Sequence, residues 1–232
     1  SKKKEFKDVS AADGFSLYLD YRLLYHEYTP INYPYTLEFS YELESSDTGI
    51  IPTWYFLNGF SVSVEKSNFS ISYANPNLKP VIQEKNVEGL QFTKENTGNT
   101  ISYSAENIPA MKAEVLCPPL QKTVPKLMSR IKDFHYKGHE ASVDNWKDLG
   151  RWVDKDLLAG RDELDEGTKA MARNLVKDVD DDLEKAKIIY KYVQDNTRYI
   201  SVQIGIGGFQ PISAIDVDQV KYGDCKGLSN YT

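Results

Sequence analysis

The hydrophobic period of this chain changes once, near Gly138. From about Phe15 to Tyr136 apolar residues recur at every second position, and beyond Gly138 they recur at helical spacing. Such a switch predicts an α+β chain, with an antiparallel β-sandwich first and a helical part after it. The clearest alternation sets Tyr35, Leu37, Phe39, Tyr41 and Leu43 against Thr36, Glu38, Ser40, Glu42 and Glu44, which predicts a half-buried antiparallel strand. Further short strands are expected over Leu17 to Tyr25, Phe60 to Val64, Phe69 to Tyr73, around Phe92, over Ile101 to Tyr103 and over Leu127 to Tyr136. Turn chemistry separates them at Asn58-Gly59, Asn75-Pro76-Asn77, Glu88-Gly89 and Thr97-Gly98-Asn99. Asn107 to Ala110 and Cys117-Pro118-Pro119 read as a connecting segment.

In the helical part Asp144 is expected to cap a helix carrying Trp146, Leu149, Trp152 or Val153, and Leu157 at helical spacing, with both tryptophans as packing anchors. Two more helices are expected around Thr168 to Lys177 and Leu183 to Gln194, the latter with Leu183, Ala186, Ile189 and Val193 on one stripe. An extended arm over Arg198 to Ile204, a glycine loop over Gly205 to Gly208 and a short helical turn over Asp216 to Val220 complete the reading. The expected domains are therefore 1–138, the sandwich, and 139–232, the helical part.

Composition narrows the function classes. With 232 residues there is ample length for real cores, and a formal charge of -6 offers no general attraction to nucleic acid. No apolar run approaches the roughly 18 residues of a membrane span. Two cysteines, Cys117 and Cys225, indicate no disulfide framework. No metal or cofactor motif stands up. His135-x-x-x-His139 lies in strand-like context without a third ligand. In Asp178-x-Asp180-x-Asp182, Leu183 and Ile189 occupy the positions where a calcium loop needs Gly and Glu. Gly205-Ile206-Gly207-Gly208 has neither phosphate-loop spacing nor a following Lys-Ser/Thr.

The chemistry concentrates in Tyr222-Gly223-Asp224-Cys225-Lys226-Gly227-Leu228-Ser229-Asn230. This reads as a tight turn at Gly223, an N-cap at Asp224 and a cysteine in the first turn of a helix. The small residues Gly227 and Ser229 permit close packing there. A thiol in that setting is a candidate nucleophile, whereas Cys117 beside two prolines reads as inert. Together with Thr197 to Pro211, the segment resembles the transglutaminase-like superfamily of papain-like fold. More closely, the chain resembles bacterial proteins of Bacteroidetes type that join a β domain of unknown function, DUF3857, to such a core. Tyr33-Pro34-Tyr35, Ile51-Pro52-Thr53-Trp54 and Asn107-Ile108-Pro109-Ala110 fit that likeness.

The resemblance implies a Cys-His-Asp triad with Cys225 as nucleophile, a peptide or protein substrate, and a periplasmic or cell-surface location. Its oxyanion hole would pair a backbone N–H with a side-chain donor, and Gln219, Gln210 and Tyr199 are all candidates. The chain departs from the pattern in one respect: its histidines, His26, His135 and His139, all precede Cys225. A helix N-terminus stabilises an anion by about 0.3–1 kcal/mol, at best about 2. The thiolate of a triad cysteine needs roughly 6 kcal/mol. The expectation is a piece of a cysteine enzyme, cut just after its nucleophile and inert by itself, whose thioester at Cys225 is resolved by water (protease or amidase), the preferred outcome, or by an amine (transglutaminase). The competing expectation is a non-catalytic binding or scaffolding module on a degenerate core.

Overall fold

A computed structural model of the chain describes residues 5–11, 16–19 and 21–232, the backbone alone for 16–19. The expected strand over Leu17 to Tyr25 lies partly outside these residues. The fold is mixed α/β, its sheets mostly antiparallel. It divides into two compact units, residues 44–148 and residues 1–43 with 149–232. These units cut the chain differently from the sequence-pattern division after residue 138.

Unit 44–148 holds two three-stranded antiparallel sheets. One pairs β4 (Trp54–Tyr55) and β6 (Val81–Lys85) with a central β9 (Lys126–Arg130). The other pairs β5 (Val64–Ser72) and β7 (Phe92–Thr97) with a central β8 (Thr100–Ile108). Strict alternation drives β8: Ile101, Tyr103 and Ala105 point into the core while Ser102 and Ser104 face outward. Phe56, Leu57, Val124 and Leu127 meet them there, so both sheets contribute to one cluster. Glu84 on β6 accepts hydrogen bonds from Lys94 on β7 (2.8 Å) and Tyr103 on β8 (2.9 Å), a polar link between the sheets. The lysine bond is the main reason the Glu84 carboxyl sits below its usual range. The Leu127 to Tyr136 expectation resolves into β9 and a separate β10 (Asp133–Tyr136), which forms a hairpin with β11 (His139–Ser142) through Lys137 and Gly138, both at positive φ.

Several expectations are corrected. The segment 35–43 is no strand. Its backbone pairs with no ladder and Leu37, Phe39, Tyr41 and Leu43 are exposed, because alternation makes a strand only where a neighbouring edge accepts its hydrogen bonds. Phe60 lies in a turn and Val62 in an irregular stretch, both ahead of β5. α2 (Trp146–Trp152) is capped by Asn145, whose Oδ1 accepts from the N–H groups of Lys147 (2.9 Å) and Asp148 (3.1 Å), while Asp144 pairs with Lys132. Trp152 is buried as expected, but Trp146 is 86% exposed.

In the other unit β1 (Lys7–Ser10) pairs antiparallel with β3 (Arg22–Tyr25), and β2 (Ser16–Leu19) pairs parallel with β13 (Ser201–Gln203). That parallel pairing helps group residues 1–43 with the C-terminal segment. A π-helical turn over Val153–Leu158 follows α2. Then come α3 (Glu166–Leu175), capped by Asp165, and α4 (Asp182–Asn196), capped by Asp181. On α4 Val193 is buried, but Leu183 at the first turn is 64% exposed, so the expected stripe is buried only toward its C-terminal end. α5 (Ala214–Val220) and α6 (Cys225–Tyr231) complete the core: Val193, Ala214, Val217 and Tyr231 pack with Leu164, Tyr192, Ile212 and Leu228. No described helix is long and apolar enough to cross a membrane.

Leu127 is fully buried in the central strand of its sheet, with neighbours from both sheets around it. Leu127→Ala is expected to cost about 2–5 kcal/mol, through lost transfer energy and the cavity left behind. A chemical denaturation curve of the full chain checks this.

Candidate functional site

The approach to Cys225 is built from backbone. α5 is capped by Ser213, whose hydroxyl accepts from Asp216 N–H (3.3 Å) and donates to the Asp216 carboxylate. α5 ends at Lys221 in the left-handed conformation (φ 57°), its N–H bonded to the Val217 carbonyl. The sharp turn therefore falls at Lys221 and not at Gly223 as expected. β14 (Tyr222–Gly223) then runs parallel to β12 (Arg198–Tyr199), with Ile200 N–H donating to the Gly223 carbonyl at 3.0 Å. Gly223 serves a different need from a turn. A Cβ there would come within 3.1 Å of the Leu228 side chain and 3.3 Å of the Leu228 backbone nitrogen, so the strand and α6 could not approach so closely.

Asp224 is the N-cap of α6, as expected. It is 1% exposed and its Oδ1 accepts from Gly227 N–H at 2.8 Å. Its second oxygen meets the ammonium of Lys226, whose side chain is largely covered. Cys225 is the first residue of α6 and is exposed. Gly227 is buried, and a Cβ there would come within 3.3 Å of the capping Asp224 Oδ1 while touching Ile212 and Val217 at ordinary contact distance.

Behind the cysteine helix lies a carboxylate that sequence reasoning missed. Asp218 on α5 accepts from the Tyr231 hydroxyl on α6 (2.5 Å), from Lys221 (2.8 Å) and from Thr168 on α3 (2.9 Å). Burial pushes the Asp218 carboxyl up, but the bonds from Lys221, Tyr231 and Thr168 outweigh it and hold the group below its usual range. Burial, and then the Asp218 carboxylate, push the Tyr231 phenol well up. A second anchor is the Arg161 carbonyl, which accepts from Ala214 N–H and from the Asn230 amide, both at 2.6 Å. These partners lie 13, 50 and 69 residues apart, so no local spacing announces them.

The three oxyanion candidates fall on different elements. Tyr199 sits in β12 opposite Gly223, in the register of the strand that delivers Cys225. Gln210 is half-buried, its amide oxygen accepting from Arg161 Nη2 at 2.9 Å. Gln219 is exposed on α5. No hydrogen bond joins any of the three to Cys225 among the described residues. His135 and His139 lie in the β10–β11 hairpin, opposite Glu140 and Tyr136 respectively, and His26 contacts the Glu5 carbonyl and the Phe6 ring. Cys117 is half-buried.

Residues 1–112 of the chain match the family model of DUF3857, a domain of unknown function with a solved structure. The fold is similar to the crystal structure of a "putative protease" from Parabacteroides distasonis, with a TM-score of 0.51 and 17% sequence identity. The similarity covers 78% of this chain and 34% of that one, so the chain spans about a third of the neighbour's length. No curated protein matches the sequence.

Two outcomes follow from the Asp218 cluster. Tyr231→Phe removes one donor from a largely buried carboxylate and is expected to cost about 1–3 kcal/mol by denaturant titration. The pH dependence has a definite sign at each end. The lowered Asp218 carboxyl contributes stability above its ordinary 3.8, lost as pH falls below that value. The raised Tyr231 phenol contributes below its ordinary 10.0, and that part is lost as pH rises further. Melting temperatures measured across pH should fall at both ends, and Tyr231→Phe should flatten the alkaline fall.

Proposed function

We propose that the chain is the N-terminal portion of a transglutaminase-like cysteine enzyme, a hydrolase of peptide or amide bonds with Cys225 as nucleophile. In this reading residues 1–138 are a DUF3857-type sandwich and residues 139–232 the helical half of a papain-like core. The observation that carries it is an exposed thiol on the first residue of a helix whose cap is buried and whose incoming strand is paired. The name of the Parabacteroides distasonis protein points toward the same reaction class.

The Cys225 sulfur would attack the carbonyl carbon of the scissile amide, forming a C–S bond and placing the negative charge on oxygen. Tyr199, Gln210 or Gln219 would donate to that oxygen beside a backbone N–H. Collapse would break the C–N bond, and the amine would leave with a proton from an imidazolium. Water would then cleave the thioester, releasing the acid and the thiol. The imidazole and its orienting carboxylate come, in this reading, from other parts of the parent protein, since no histidine follows Cys225 here. In this reading the chain by itself shows no turnover.

The test compares this chain with its parent protein on a peptide library and on simple amides. The parent is expected to hydrolyse a member of the set, with Cys225→Ala lowering kcat/KM on the order of 10³-fold or more, and this chain to show no turnover. A parent whose activity survives Cys225→Ala would overturn the reading. A parent without activity, and with no His and Asp in strand context after the cysteine, would favour the non-catalytic binding module.

A further inference from the structure

The residue beside the proposed nucleophile is a buried acid, which by itself opposes the chemistry. Attack by a thiol requires negative charge on sulfur. Asp224, immediately before Cys225, is 1% exposed and sits where water screens it least. The cap explains why an acceptor is needed there, since Gly227 N–H must be satisfied. It does not explain why the acceptor carries a full charge, because Ser or Asn caps as well.

Lys226 resolves this. Its ammonium lies against the Asp224 oxygen that the Gly227 N–H leaves free, and its side chain is only 22% exposed. Lys226 also follows Cys225 directly, so the thiol is bracketed by the two members of one ion pair. Two charges of opposite sign, both largely covered, cancel over short range. From this geometry we infer that Lys226 is an electrostatic positioning residue for Cys225: it neutralises the buried Asp224 carboxylate and so lets an acidic cap stand next to a reactive thiol. The inference rests on the reading of Cys225 as a nucleophile. It adds a residue that acts through Asp224 and need not touch the substrate.

The experiment measures alkylation of Cys225 by iodoacetamide in the full chain at pH 7, with Cys117→Ser removing the other thiol. Sulfur displaces iodide, a C–S bond forms and the thiol proton passes to buffer, so no substrate or triad partner is required. Lys226→Met is expected to slow alkylation about five- to tenfold and move the pH–rate profile to higher pH. Lys226→Arg should stay within about twofold of the unmodified chain. Asp224→Ser keeps a capping oxygen without charge, and Asp224→Ser with Lys226→Met should return the rate to within about twofold.

A folded Lys226→Met chain reacting at the unmodified rate would overturn the inference, as would a double variant as slow as Lys226→Met alone. If Lys226→Met fails to fold, Lys226→Gln takes its place with the same expected slowing, and a folded Lys226→Gln chain reacting at the unmodified rate would overturn the inference. In the Asp224→Ser background neither substitution should slow the thiol by more than about twofold, and a five- to tenfold slowing there would overturn the inference, because Lys226 would then act on the sulfur without Asp224. A parent protein that stays active as Cys225→Ala would end the nucleophile reading while leaving these rates untouched.

Discussion

A carboxylate removed from water has to be surrounded by donors, and the C-terminal half of this chain is arranged around two that meet the demand. Asp218 draws Thr168 from α3, Lys221 from the end of its own helix and Tyr231 from α6. Asp224 draws Gly227 N–H and Lys226. Hydrogen bonds to a charged group are worth about 1.5–3 kcal/mol each, and leaving the group unpaired costs more, so α5 and α6 are held in one arrangement. Cys225 sits on a helix fixed by acids at both of its ends, one through Tyr231 and one as the cap.

The apolar contacts alone would fix that arrangement less sharply. Val193, Ala214, Val217 and Tyr231 form a small core, and hydrophobic packing tolerates sliding better than a set of directed bonds does. Gly223 and Gly227 remove side-chain bulk where β14 and Ile212 approach α6, which brings the cap within bonding range. In the sheet unit the balance is reversed. Phe56, Leu57, Ile101, Tyr103, Ala105, Ile108, Val124 and Leu127 form the buried cluster, and the Glu84 bonds and the bond from Trp54 to Ser67 are polar links among apolar contacts.

Much of this was legible in the residues. The alternation in β8, the acidic cap of α6 and the helix carrying Cys225 all follow from local pattern, because a helix cap or a strand face involves residues two to four positions apart. Tyr35 to Leu43 shows the limit. Its pattern is the cleanest in the chain, yet it pairs with nothing, since a strand exists only where a second edge takes up its backbone bonds. Trp146 shows it again, being as apolar as Trp152 but largely exposed.

The sequence by itself determined that a β region precedes a helical one, that Cys225 begins a helix, and that Asp224 caps it. These depend on periods and on side chains within a turn of one another. Only the tertiary structure decided that the turn falls at Lys221, that Gly223 is needed for close approach, that Asp218 ties three helices together, and that Lys226 covers the charge of Asp224. The turn is a helix C-cap at a lysine, a residue that seldom adopts positive φ, while the roles of Gly223 and Asp218 depend on contacts between elements brought together by backbone pairing and burial. The last depends on a rotamer choice that becomes favourable once Asp224 is out of water.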